Sequence, residues 1–234
     1  MPISTGFLLL KNPTDVPKYA VTTIFILITN FHFVGILLGD IMKKTALYPS
    51  SVHLLPGGRA SYTLVEKRHL RMLKESLASN SPFAVCMINE SEEESELKQI
   101  PAIATECNVI NFDQAEANLL SIVVEGTQKI RLHGITLDDD GLMQGDSTLY
   151  PNWQAEPILA RDEEIAEKLK MFFQSMPEIG ALYPSPQYDD ISWVCQRWIE
   201  VLPLEVHYKQ LLITQDNAKL TTRFLHKLLH SPEN

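Results

Sequence analysis

The sequence is poor in cysteine. It has three, Cys86, Cys107 and Cys195, far apart and with no Cys-x-x-Cys pair. An odd number of scattered thiols argues against a disulfide framework and against a structural zinc site, and reads as free, buried thiols in a reducing compartment. Surplus positive charge is also lacking. Twenty Lys and Arg stand against 29 Asp and Glu, a net charge of −9, which disfavours non-specific binding to nucleic acid or anionic lipid. No G-x-x-x-x-G-K-[ST] string occurs, so there is no phosphate-cradling loop of that kind. His53, His69 and His133 are not at metal-ligand spacing. Ser95 and Lys98 fit Ser-x-x-Lys, but they stand in an acidic stretch without the companion motifs of a serine acylase. Asp138-Asp139-Asp140-Gly141 lacks the spaced ligands of a calcium loop and reads as a hairpin turn. The expectation is no catalytic residue, no metal ligand and no cofactor.

One long apolar run is present. Residues 20–39, AVTTIFILITNFHFVGILLG, carry no charged side chain and match the length of a bilayer crossing. Asn30 and His32 near its middle are costly in lipid. Two readings stay open. Residues 1–41 are either a membrane anchor or an extension upstream of a chain that starts at Met42. The cytoplasm is the expected location, with inner-membrane anchoring as the alternative.

Hydrophobic residues make up 45% of the whole chain, enough for a real core. Strands come first. Leu47–Leu55, Ser61–Leu64, Phe83–Ile88 and Ile103–Phe112 read as strands, and a loop is expected over Asp113–Asn118. Residues 119–151 read as a meander: Leu119–Val124, a Glu-Gly turn, Gln128–His133, a third short run, the acidic turn, and an exit from Leu142 to Tyr150. Residues 66–79 read as a helix, with Leu70, Leu73 and Leu77 at helical spacing. Five glutamates within 90–96 read as a solvated loop. Helices follow. Ile165, Leu169, Phe172 and Phe173 share a face over 161–175. Asp189 or Asp190 caps a helix that Pro203 ends, with Trp193 and Trp198 in its core. A short helix spans Tyr208–Thr214. Asp216 caps a last helix with Leu220, Phe224 and Leu228 inward. The fold class is α+β: a β-rich lobe over 42–155, a twisted antiparallel sheet or partly closed, PUA-like barrel, and then a helical lobe over 156–231.

Three strings carry a resemblance. VHLLPGGRASYTLVEKRHLRML, LLSIVVEGTQKIRLHGI and WVCQRWIEVLPLEVHYKQLLI, in that order, resemble the Lon substrate-binding domain, the N-terminal domain of the Lon ATP-dependent protease. The likeness covers residues 47–230. The chain departs from the pattern at Lys67, where a proline is usual, at His69, where an aromatic is usual, and at Ser61 and Tyr62. The resemblance implies a recognition module without ATPase or serine-lysine protease modules. Its partners would be unfolded or partner polypeptides, a protease among them. The alternatives are a peptidase-related hydrolase or protease accessory subunit, and an RNA-binding β-barrel module. Trp153 follows Tyr150-Pro151 at the junction of the two lobes, where clefts form. A binding groove is expected there, lined by Leu55, Arg59, Arg68, Tyr150 and Trp153.

Overall fold

The computed structural model describes residues 42–88, 100–116 and 119–229. The apolar run at 20–39, the acidic run at 90–96 and the Ser95/Lys98 pair lie outside the described residues. Among the described residues, no helix is long and apolar enough to cross a membrane.

Six strands form one sheet: β1 (Lys43–Ser50), β2 (Arg59–Leu64), β3 (Phe83–Met87), β4 (Ile103–Glu116), β5 (Leu119–Leu137) and β6 (Met143–Leu149). Their order is β2-β5-β4-β3-β1-β6, with a further β5–β6 pairing that joins the two ends of a five-strand circuit. Only β1 and β3 run parallel. The result is not a clean barrel, because β5 is shared. Its first half pairs with β2 and its second half with β6.

The expected Glu125-Gly126 turn is absent. β5 runs 19 residues without a break. Gly126 is there for a different reason. Its N–H donates to Gly58 O at 2.9 Å, and its carbonyl accepts from Gly57 N at 2.8 Å. A Cβ on Gly126 would collide with the Leu55 carbonyl. Glycine inside a strand marks the close approach of another backbone. β4 likewise continues to Glu116, past Phe112, where a loop was expected. The acidic turn is as read: Gly141, at φ +81°, donates to Asp138 O at 2.8 Å.

Helix α1 (Lys67–Ser79) buries Met72 and Leu73 against Tyr62, Leu64, Phe83, Val85, Ile122 and Val124. It ends at Asn80, a left-handed residue at φ 49° whose N–H reaches Ser76 O, a position that asparagine tolerates. β3 is buried along its whole length. Phe83 and Val85 face the α1 core, while Ala84 and Cys86 face a second core with Leu47, Ile130 and Met143.

The helices follow: α2 (Glu163–Ser175), the single turn α3 (Pro177–Gly180), α4 (Ile191–Val201), α5 (Val206–Ile213) and α6 (Lys219–Leu229). Asp190 caps α4 by accepting from Ser192 N. Every residue of α4 from Ile191 to Ile199 is buried, so it is the central helix. The expected cap of α6 shifts by one residue. Asn217, not Asp216, accepts from Lys219 N at 3.1 Å. The buried positions are Thr221 and Leu225, and Leu220 and Leu228 stay exposed. Of the expected inward row, Phe224 is half-buried against the core and the other two are not.

The sheet and helices meet at the Leu55-Pro56-Gly57-Gly58 turn. Leu55 N donates to Glu200 Oε1 at 2.6 Å. Arg197 Nη2 donates to Pro56 O at 3.0 Å and pairs with Glu200 at 3.0 Å, while its Nε pairs at 2.6 Å. Leu55, Met87 and Ile103 then join α2, α4, α5 and α6 in one core.

Candidate functional site

Four of the five residues expected to line a groove are ties of the sheet–helix junction. Leu55 is buried in the turn just described. Arg59 pairs with Glu125 at 2.7 Å and donates to Leu182 O at 3.1 Å. Tyr150 donates its hydroxyl proton to Thr214 O at 2.7 Å. Trp153 is 7% exposed and donates from Nε1 to Gln215 O at 2.6 Å. Arg68 lies apart from them, in a cleft of about 230 Å³ with Pro49, His69 and Met143. It is held by Glu66 at 2.7 Å and by Gly141 O at 2.9 Å.

Several buried cations were not singled out in the sequence. Lys129 Nζ donates to Ile213 O at 2.8 Å and sits 5.0 Å from the Tyr150 ring centre. Burial lowers its pKa to about 8. Lys209 lies 2.7 Å from His53 Nδ1. Burial lowers Lys209 to about 8 and, with the lysine charge beside it, His53 to about 4. These groups tie elements together from beneath. Neither lysine gave a signal in the sequence, because a lysine in an alternating strand, as Lys129, or on a short helix, as Lys209, reads as solvent-facing. All three cysteines are free and buried, and burial pushes Cys86 and Cys195 up to about 12. A thiol so shifted is a poor nucleophile. Among the described residues, no three His, Cys, Asp or Glu converge as a metal set.

The surface with chemistry to offer a partner lies on β4. β3 has 5 residues and β4 has 14, so β4 outruns its neighbour. The β3 pairing stops at Cys107. From Asn108 to Glu116, β4 pairs only with β5 among the described residues. Its register sets Val109 opposite Val124 and Phe112 opposite Ile122, so both face the side covered by α1. Ile122 and Val124 are fully buried there. Phe112 is 63% exposed, and Leu77 at the end of α1 is 53% exposed. The helix ends before it covers the strand. A cleft of about 500 Å³ opens between them, lined by Ser76, Leu77, Asn80, Ser81, Asn108 and Val109. The register shifts between Val109 and Asn111, leaving Ile110 in a bulge, also exposed. Bulges bend a strand and re-aim its side chains. Asn111 Oδ1 accepts from Phe112 N at 2.9 Å, so the open edge is half-satisfied by its own neighbour. The surface is therefore a short strand edge with no partner strand among the described residues and an apolar step beside it.

The architecture defines a domain of α+β type, a six-strand sheet followed by helices. The chain belongs to the family of the ATP-dependent protease La (LON) substrate-binding domain, whose sequence model matches residues 42–231. Two solved structures share the fold. A Lon N-terminal domain protein from Xanthomonas campestris is 23% identical, with a TM-score of 0.59 over 80% of this chain and 97% of that one. The N-terminal domain of Mycobacterium avium complex Lon protease is 12% identical, with a TM-score of 0.56 over 82% of this chain and 100% of that one. No curated protein matches the chain.

Proposed function

We propose that the chain is a non-catalytic polypeptide-recognition domain acting in the cytoplasm. An extended segment of an unfolded or partner protein adds to the edge of β4, and its apolar side chains rest on Val109, Phe112 and Leu77. Main-chain bonds then supply affinity and the apolar step supplies preference. The observation that carries this reading is Phe112. It is a large aromatic on the core-facing side of a strand, yet it is left open. Membership of a substrate-binding family supports the same reading. Three buried free thiols agree with a reducing compartment. Arg68 borders a separate cleft, and the junction residues Leu55, Arg59, Tyr150 and Trp153 act by holding the sheet to the helices.

The test is fluorescence anisotropy with the full chain and one labelled polypeptide, lysozyme, native and unfolded by reduction and alkylation. Binding is expected for the unfolded form only. Phe112→Ser and Leu77→Ser are expected to weaken it by about tenfold or more each, as for an anchor side chain. Both sites are exposed, so melting should move little. Equal affinity for native and unfolded lysozyme, or unchanged affinity in Phe112→Ser, would refute the proposal. Degradation of casein by the pure protein would favour a hydrolase instead.

A further inference from the structure

A second cleft, of about 490 Å³, lies in the helical part between the segment before α2 and one face of α6. Its floor is apolar: Pro157, Leu159, Ile191 and Ala218. Its rim is cationic. Lys219 and Arg223 are four residues apart on α6, so they stand on one face. Both line the cleft, and neither side chain has an ion-pair or hydrogen-bond partner among the described residues. This is unusual in a chain of net charge −9, where carboxylates are plentiful. The cleft holds two carboxylates of its own, Glu156 and Asp162. Asp162 is already engaged: His226 Nε2 lies 2.7 Å from one oxygen and Arg161 Nε lies 3.5 Å from the other. That leaves two uncommitted cations facing one uncommitted carboxylate, beside an apolar floor.

We infer that this cleft binds a short linear segment of a partner protein in which a single carboxylate stands beside a bulky aliphatic side chain. The carboxylate meets Lys219 and Arg223, and the aliphatic group lies on Leu159 and Ile191. A doubly charged phosphate fits less well, since Glu156 and Asp162 line the same space. The inference is independent of the β4 surface and goes beyond it, because it assigns a second site with a charge requirement that unfolded polypeptide in general does not meet.

The experiment uses the full chain and a fluorescein-labelled peptide, Gly-Ser-Leu-Glu-Leu-Ser-Gly. Two controls accompany it, one with Gln for Glu and one with Ser for both Leu. Saturable binding of the first peptide is expected, with roughly tenfold weaker binding of the Gln control, as for loss of a charge-assisted contact. Binding should weaken as salt rises. The Lys219→Glu/Arg223→Glu double variant should lose the peptide. Neither side chain has a partner among the described residues, so its circular dichroism and melting should match the parent. Phe112→Ser should bind the peptide as the parent does, which separates this site from the β4 surface. No binding, equal binding of the Gln control, or unchanged affinity in the double variant overturns the inference. One further result would overturn the choice of partner. If replacing Glu92, Glu93 and Glu94 by Gln tightens the peptide at least about tenfold, the occupant is the chain's own acidic run.

Discussion

Arg197 is fully buried and its guanidinium is divided among three tasks. It pairs with Glu200, caps the Pro56 carbonyl, and lies 5.3 Å from the Trp193 ring centre. Glu200 in turn takes the Leu55 N–H. Arg197→Ala would leave that carboxylate buried without its cation and is expected to cost about 3–5 kcal/mol in urea denaturation. A loss below about 1 kcal/mol would mean that Glu200 finds water or protonates cheaply. The two buried lysines make a different statement, about pH. In the unfolded chain a lysine keeps its proton to about pH 10.4, whereas folded Lys129 and Lys209 release theirs near 8. Above pH 8 the unfolded chain thus binds more protons, and stability rises with pH. The buried thiols act in the opposite sense. An unfolded cysteine ionises around pH 9, while burial holds Cys86 and Cys195 to about 12 and raises Cys107 as well, which favours the unfolded state as pH increases. The urea midpoint should therefore climb between pH 8 and 9 and stop climbing above that. Lys129→Met should remove half of the lysine contribution, one proton of two, and so more than half of the net climb. An undiminished climb in the variant would move its source elsewhere.

At the scale of elements, the decisive contacts are places where backbones touch. Gly126→Ala sets a methyl group against the Leu55 carbonyl. It should destabilise by about 1–3 kcal/mol through overpacking, seen as a lower urea midpoint. Little change would mean that the Leu55 turn can move away. Gly126 also explains the limit of sequence reading here. A Glu-Gly pair between two alternating runs resembles a hairpin turn, and nothing local distinguishes it from a strand pressed against a distant loop. Elements governed by near neighbours were legible. The spacing of Leu70, Leu73 and Leu77 gave α1, the Asp189-Asp190 pair gave the start of α4, and the Asp-Gly pair gave the turn before β6. Where two caps stood side by side, Asp216 and Asn217, no local feature decided between them.

At the scale of the whole molecule, the α+β class was legible because the apolar period changes from two to 3.6 after Tyr150. The candidate surface was not. Phe112 has the alternation of a strand residue, and its exposure depends on β3 being shorter than β4 and on α1 stopping at Ser79. Those are differences between segments that meet only after folding. The aromatic at the junction, Trp153, drew attention as a groove residue because its neighbours in sequence are a tyrosine and a proline. Its indole instead closes onto Gln215, 62 residues away. The junction turn has a further consequence. Leu55 and its acceptor on Glu200 are 145 residues apart. At a synthesis rate of about 5–20 residues per second, the interval between them is roughly 7–30 s. For that interval the nascent sheet has no clasp on its Leu55 end, and the floor that α4 and α5 provide does not yet exist. The newborn chain thus passes through a spell with its own apolar face open.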